Sequence, residues 1–264
     1  VNVVASSDHG LGEMLASDPR VDVVTFTGST ATGRRVMEVA SRTLKKIFLE
    51  LGGKSANVIL DDAPSAAFSG AAMVCTHGGQ GCAIPTRLLV PRSRYDEALG
   101  LLETAFREAK YGDPTQPVAL QGPQVSKRQQ ERVLAYIEKG KAEGARCLVG
   151  GGVPKHLPKG FYVEPTLFVD VDPDATIAQE EIFGPVLSVI PYTDDDDAVR
   201  IANHSIYGLS GAVTSADEQR ALAVARRIRT GTISINGGMW FHVDTPFGGY
   251  KQSGIGRETH KMML

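Results

Sequence analysis

Glycine crowds one cysteine of this chain, in the run Gly78-Gly79-Gln80-Gly81-Cys82-Ala83. Small neighbours clear space around a sulfur and expose its own backbone N–H. That N–H can stabilise the oxyanion formed when a thiolate adds to a carbonyl. A cysteine is more often an inert core residue, a reading that suits Cys75 and Cys147, each among small apolar neighbours. It suits Cys82 poorly, because glycine does not build a packing site. Earlier in the chain Glu50 stands between Leu49 and Leu51, followed by Gly52-Gly53-Lys54. A carboxylate at the end of a buried strand keeps its proton to higher pH, the preparation of a general base. Taken alone, an acid exposed at a strand end fits the same residues.

Two further stretches bear chemistry. Phe26-Thr27-Gly28-Ser29-Thr30-Ala31-Thr32-Gly33 reads as a turn from strand to helix. Gly28 admits close approach of a ligand, Ser29 or Thr30 can cap the helix, and its N–H groups suit a pyrophosphate. An ordinary capped turn fits as well. Gln179-Glu180-Glu181-Ile182-Phe183-Gly184-Pro185 offers carboxylates for sugar hydroxyls and an aromatic for a flat ring. A solvated acidic turn is the plainer reading of that stretch alone.

The elements that must position these groups alternate between two periods. Val1–Val4, Val21–Phe26 and Lys46–Leu51 are expected as strands, with helices over residues 12–16 and 31–41 between them. Strands alternating with helices imply a parallel sheet with crossover connections. Further on, helices are expected over residues 65–76, 95–111, 126–143, 195–203 and 218–229, and strands over 186–192 and 232–236. The tail from Pro246 is expected to fold back over another part of the molecule. A strand as early as Val1 leads to the expectation of a longer parent protein.

Bulk properties exclude several classes. Of 264 residues 42% are hydrophobic and 22% charged, enough for a sizeable core. A net charge of −2 gives no electrostatic reason to expect nucleic acid or an anionic membrane as partner. No apolar run is long enough to span a bilayer, and no leader pattern opens the chain, so a cytoplasmic protein is expected. Three widely spaced cysteines argue against a disulfide framework. Cys75, His77 and Cys82 match no zinc spacing, so no metal is expected. The acidic run Asp194–Asp197 suits a helix N-terminus better than a cation.

Taken together and in this order, the motifs resemble the aldehyde dehydrogenase superfamily. Phe26–Gly33, Leu49–Lys54 and Gly79–Arg87 match its signatures, as do Phe161–Thr166, Ile177–Val186 and Pro246–Glu258. The resemblance implies an α/β fold: a partial Rossmann-type nucleotide-binding sheet followed by an α/β catalytic domain. Residues 1–60 correspond to the end of an NAD(P)-binding domain, 61–246 to the catalytic domain, and 247–264 to a tail packing toward the active site and cofactor domain. Cys82 matches the nucleophile and Glu50 the base. Gly28 and Ser29 match the pyrophosphate loop, with Leu51 on the cofactor side. Glu181 matches the carboxylate on the nicotinamide ribose and Phe183 the aromatic beside it. Trp240, Phe241 and Phe247 fall where the family lines its aldehyde pocket, and Asn236 ends the preceding strand.

The implied reaction is NAD- or NADP-dependent oxidation of an aldehyde to a carboxylic acid through a thioester, with NAD favoured. Members that hand the acyl group to coenzyme A commonly lack a carboxylate at the position of Glu50, so hydrolysis is implied. Family members run to about twice this length. The unmatched part should carry a second oxyanion donor, so this chain alone is expected to be inactive. The parent is expected to be a homodimer or homotetramer. Ala5-Ser6-Ser7-Asp8 and Thr32 depart from the family pattern, which has a glycine-bearing turn and commonly an aliphatic residue there. A non-catalytic structural or ligand-binding relative is the alternative.

Overall fold

A computed structural model describes residues 1–237 and 242–259. The chain begins with α1 (Gly10–Ser17), β1 (Val23–Thr27), α2 (Thr30–Ser41) and β2 (Lys46–Glu50). The β-branched run of β1 suits a strand. Ser29 caps α2, its hydroxyl accepting the Thr32 N–H at 3.2 Å. β1 and β2 pair in parallel with Thr27 opposite Glu50, so the glycine turn and the carboxylate emerge at the same end of the sheet. Val1–Val4 forms no strand. Val1, Val3 and Val4 are exposed and pair with no described strand, and β propensity without a partner does not order a strand.

The chain then builds a larger sheet through β3 (Ser55–Ile59), α3 (Ala66–Gly70), β4 (Pro85–Pro91) and α4 (Tyr95–Glu108). It continues through α5 (Lys127–Ala142), β5 (Arg146–Val149), β6 (Thr166–Val169), α6 (Thr176–Gln179) and β7 (Val186–Tyr192). The last parts are α7 (Asp195–Asn203), β8 (Gly211–Thr214), α8 (Glu218–Ala225), β9 (Ser234–Ile235) and β10 (Gly254–Ile255). The strand order is β5-β6-β7-β4-β3-β8-β9, parallel throughout except for β5 against β6. β10 instead joins the small sheet, pairing antiparallel with β2 so that Gly254 lies opposite Glu50. The strand pairing therefore changes sheets between Glu50 and Ser55.

Helices cover both faces of the large sheet. Along β4, Leu88 and Val90 pack with residues of α3 and α4, whereas Leu89 packs with residues of α5, α7 and α8. Each such side chain, fully buried, contributes roughly 1.5–3 kcal/mol. Burial on both faces explains why β4 and β6 escaped the period-two reading: nothing polar alternates with Leu88-Leu89-Val90 or with Leu167-Phe168-Val169. Other expected elements are shorter than read. The helix expected over 65–76 ends at Gly70 and continues as a 3-10 turn, Ala71–Gly79, broken by left-handed φ values of 55° at His77 and 65° at Gly78. The strand over 232–236 shrinks to β9, and α8 stops at Ala225. The acidic run does cap a helix: Asp194 accepts the Asp197 N–H at 2.9 Å. Among the described residues no helix is long and apolar enough to cross a membrane.

Candidate active site

Cys82 and Glu50 come together although they leave different sheets. Glu50 ends β2, and Cys82 lies between the broken 3-10 turn and β4. Gly53 makes the meeting sterically possible. A Cβ there would overlap the carbonyl oxygen of Cys82, so only glycine lets the chain after Glu50 run against the cysteine backbone. Gly79 plays the same part on the other side, where its Cβ would strike the Gly184 carbonyl, and its φ of 69° is left-handed.

Burial sets the electrostatics of the pair. Glu50 is 5% exposed and one carboxyl oxygen, Oε1, has no hydrogen-bond partner. Desolvation pushes its pKa up to about 7, opposed by a hydrogen bond with Cys82 and reinforced by the negative charges of Glu258 and Glu181. The half-buried Cys82 thiol is pushed up to about 12, by desolvation first and then by the Glu50 charge and hydrogen bond. The Ala83 N–H pulls the other way. A thiol so placed holds its proton at neutral pH, and a carboxyl with a pKa near 7 stands beside it. Glu258, within the last sequence motif, was not singled out there; its neighbourhood to Glu50 comes only from the antiparallel return of the tail.

A cleft of about 660 Å³ opens beside the pair, and Gly28, Ser29, Leu51, Glu181 and Phe183 all line it. Gly28 and Ser29 are exposed at the start of α2. Leu51 packs under that helix in space left by Gly33, whose Cβ would lie 2.6 Å from the leucine. Glu181 Oε1 accepts the Gly53 N–H at 3.0 Å. Its carboxyl is raised by desolvation and held back by that bond and by the charges of Lys54 and Arg132. Phe183 has a left-handed φ of 59°, unfavourable for a bulky residue. Gln129 holds the strained loop by donating to the Phe183 carbonyl at 2.8 Å and that of Ile182 at 3.2 Å. Gln129 and Arg132 also line the cleft. Both lie on α5, whose sequence showed amphipathicity and no chemical signal.

Phe247 is buried in a small apolar cluster with Ala83 and Leu209, and Cys82 packs against that cluster. Trp240 and Phe241 lie outside the described residues. Asn236 Oδ1 is occupied by the Ser215 N–H at 3.0 Å, which holds the end of β9.

Comparison with known proteins follows the same lines. The model of the aldehyde dehydrogenase family matches residues 1–264. The chain is 46% identical over 260 residues to a putative aldehyde dehydrogenase of Staphylococcus haemolyticus, covering 97% of this chain and 54% of that protein. It is 46% identical over 263 residues to a 3-succinoylsemialdehyde-pyridine dehydrogenase of a Pseudomonas species, covering 98% and 55%. A Mycobacterium tuberculosis aldehyde dehydrogenase complexed with NAD+ superposes with a TM-score of 0.91 at 49% identity, covering 94% of this chain and 52% of that one. A mutant of aldehyde dehydrogenase C from Pseudomonas syringae, complexed with NAD+ and octanal, gives 0.92 at 40% identity, over 95% and 52%. The chain spans about half the length of the curated relatives it matches.

Proposed function

The chain belongs to the aldehyde dehydrogenase family, and from that premise we propose that it carries the nucleophile and base of an NAD-dependent oxidation of an aldehyde to a carboxylic acid. The observation that carries this reading is the juxtaposition of the half-buried Cys82 thiol with a buried Glu50 carboxyl titrating near 7. Glu50 accepts the thiol proton and the Cys82 sulfur bonds to the aldehyde carbon, whose carbonyl electrons move onto oxygen. Backbone N–H donors stabilise that oxyanion. NAD, when bound, supplies the hydride acceptor, and loss of hydride from the same carbon leaves an acyl thioester on Cys82. Glu50 first gives the thiol proton up to solvent. It then removes a proton from water as the water oxygen bonds to the acyl carbon, and the carbon–sulfur bond breaks with that proton passing to the sulfur, which releases acid and thiol.

The residues present fit the diphosphate and nicotinamide-ribose end of such a cofactor. The start of α2 faces the cleft with no side chain at Gly28, and an α-helix N-terminus favours an anion. Glu181 lies across the cleft with a carboxylate able to accept from ribose hydroxyls. NAD is preferred over NADP because the similar structures named above hold NAD+. Phe247 beside Cys82 favours an apolar or aromatic aldehyde. Expressed alone, residues 1–264 are expected to be inactive, since the resemblance puts a second oxyanion donor outside them and one donor is worth roughly 100- to 1,000-fold. The whole protein is proposed to be a homodimer or homotetramer.

The test uses the whole protein with NAD and NADP separately and a panel of aldehydes. Wild type should reduce the nicotinamide continuously, Cys82→Ser not at all. Glu50→Gln should show at most one equivalent of reduction, because its thioester is no longer hydrolysed. Unchanged turnover in Cys82→Ser would overturn the reading. No reduction by wild type with any aldehyde would favour the non-catalytic alternative.

A further inference from the structure

Between Glu50 and the large sheet the chain passes through the peptide joining Gly52 to Gly53. Two glycines leave a peptide free to rotate, yet this one is gripped at both ends. Its N–H donates to Glu181 Oε1 at 3.0 Å, and its carbonyl oxygen accepts the Ser253 hydroxyl at 2.6 Å. Ser253 is fully buried, and its Oγ also accepts the Gly208 N–H at 2.9 Å. Its own carbonyl accepts the Leu51 N–H at 2.9 Å. One side chain thus uses its donor and one acceptor on two buried backbone groups from separate segments.

The segment that carries Ser253 is held firmly. Lys251 Nζ donates to the carbonyls of Asn203 at 2.8 Å and Ser205 at 3.0 Å, at the end of α7. The Gln252 carbonyl accepts the Thr30 hydroxyl at 3.2 Å, and its Oε1 accepts from Arg34 at 2.6 Å, both on α2. Gly254 pairs with Glu50 itself, and a Cβ on Gly254 would overlap the Leu49 carbonyl. The start of the cofactor-side helix, the end of β2 and the loop at Gly208 all converge on this short tail segment.

We propose that Ser253 is a positioning residue: it locks the Gly52–Gly53 peptide in the orientation that presents its N–H to Glu181 and fixes the end of β2 where Glu50 faces Cys82. This rests on the roles proposed above for Glu50 and Glu181. Without the Ser253 hydroxyl, the Gly52 carbonyl and Gly208 N–H lose a buried partner, and rotation of the diglycine peptide turns its N–H away from Glu181.

The whole protein is assayed as wild type, Ser253→Ala, Glu181→Ala and the double variant, following KM for NAD and the pH profile of turnover. Ser253→Ala should raise KM for NAD about tenfold and lower turnover by up to about 100-fold, the scale of a misplaced catalytic group. It should also move the acid limb set by Glu50. Its effect on KM should largely vanish in the Glu181→Ala background, which removes the acceptor of the Gly53 N–H, because both act through one peptide. Additive effects on KM, or an unmoved acid limb accompanied only by a lower Tm, would overturn the proposal. If Ser253→Ala does not fold, Ser253→Cys, with a weak S–H donor, is read on the same scales against the same criteria. Glu50→Gln separates the levels: wild-type hydrolysis in that variant would sink the proposed function itself. A stalled thioester there, alongside wild-type behaviour of the Ser253 variants, would sink this inference alone.

Discussion

The backbone N–H of Gly28 donates to the carbonyl oxygen of Glu50 at 3.0 Å. The glycine turn that opens α2 and the end of β2 at Glu50 are therefore tied together as a unit, so the proposed cofactor contacts and the proposed base share a backbone hydrogen bond. What binds at the turn must adapt to where Glu50 already stands.

Gly53 is a tight steric point beside Glu50. Gly53→Ala would drive a methyl group into the Cys82 carbonyl, and backbone on both sides cannot yield cheaply. A destabilisation of about 1–3 kcal/mol is expected for this overpacking, with turnover falling by about 100-fold as Cys82 shifts. Thermal melts and turnover of the whole protein check both.

Glu50 controls the cysteine through charge. A negative neighbour disfavours the thiolate, and Glu50 is ionised above pH 7, so it helps to hold the thiol near 12. Without cofactor, Glu50→Gln should therefore speed Cys82 alkylation by iodoacetamide at pH 9. An unchanged or slower rate would contradict this arrangement.

Lys54 gives stability a pH dependence of its own. It is 2% exposed, its Nζ has no hydrogen-bond partner, and burial, assisted by the charge of Arg87, lowers its pKa to about 7. The unfolded lysine titrates near its ordinary value of 10.5. Between these values the unfolded state binds the extra proton, so stability rises with pH from about 7 to about 10.5. Lys54→Met should remove that rise and be more stable at pH 7 by roughly 1–4 kcal/mol, as urea melts at pH 7 and 9.5 would show.

Arg87 serves as a buried cap for α7. Its guanidinium donates to the Lys54 carbonyl at 2.9 Å, the Ile201 carbonyl at 2.9 Å and the Ala202 carbonyl at 2.8 Å. Lysine cannot reproduce that fork. Arg87→Lys should cost about 3 kcal/mol or more, since orphaned buried acceptors cost about 1–3 kcal/mol each. Chemical denaturation is the direct measure.

Much of the candidate site was legible before the fold. Glycine around Cys82 reads as space about its sulfur; the structure adds that Gly79 and Gly53 are points of close backbone approach. Amphipathic spacing located α5, and the acidic run located the start of α7. β4 and β6 were not legible, because strands buried on both faces carry no alternation. Val1–Val4 misled in the opposite sense, since strand propensity does not supply a neighbouring strand.

The sequence by itself determined the chemical types: a cysteine freed by glycine, a carboxylate among apolar residues, and a capped helix start after Gly28. Tertiary structure alone decided how they act. The shift of Glu50 to about 7 is caused mainly by burial, and burial is a property of packing. Ser253 reaches Gly52 across more than 200 positions of the chain only because β10 returns antiparallel beside β2. Hydrogen bonds and desolvation act through distances in space, which local residue patterns do not encode.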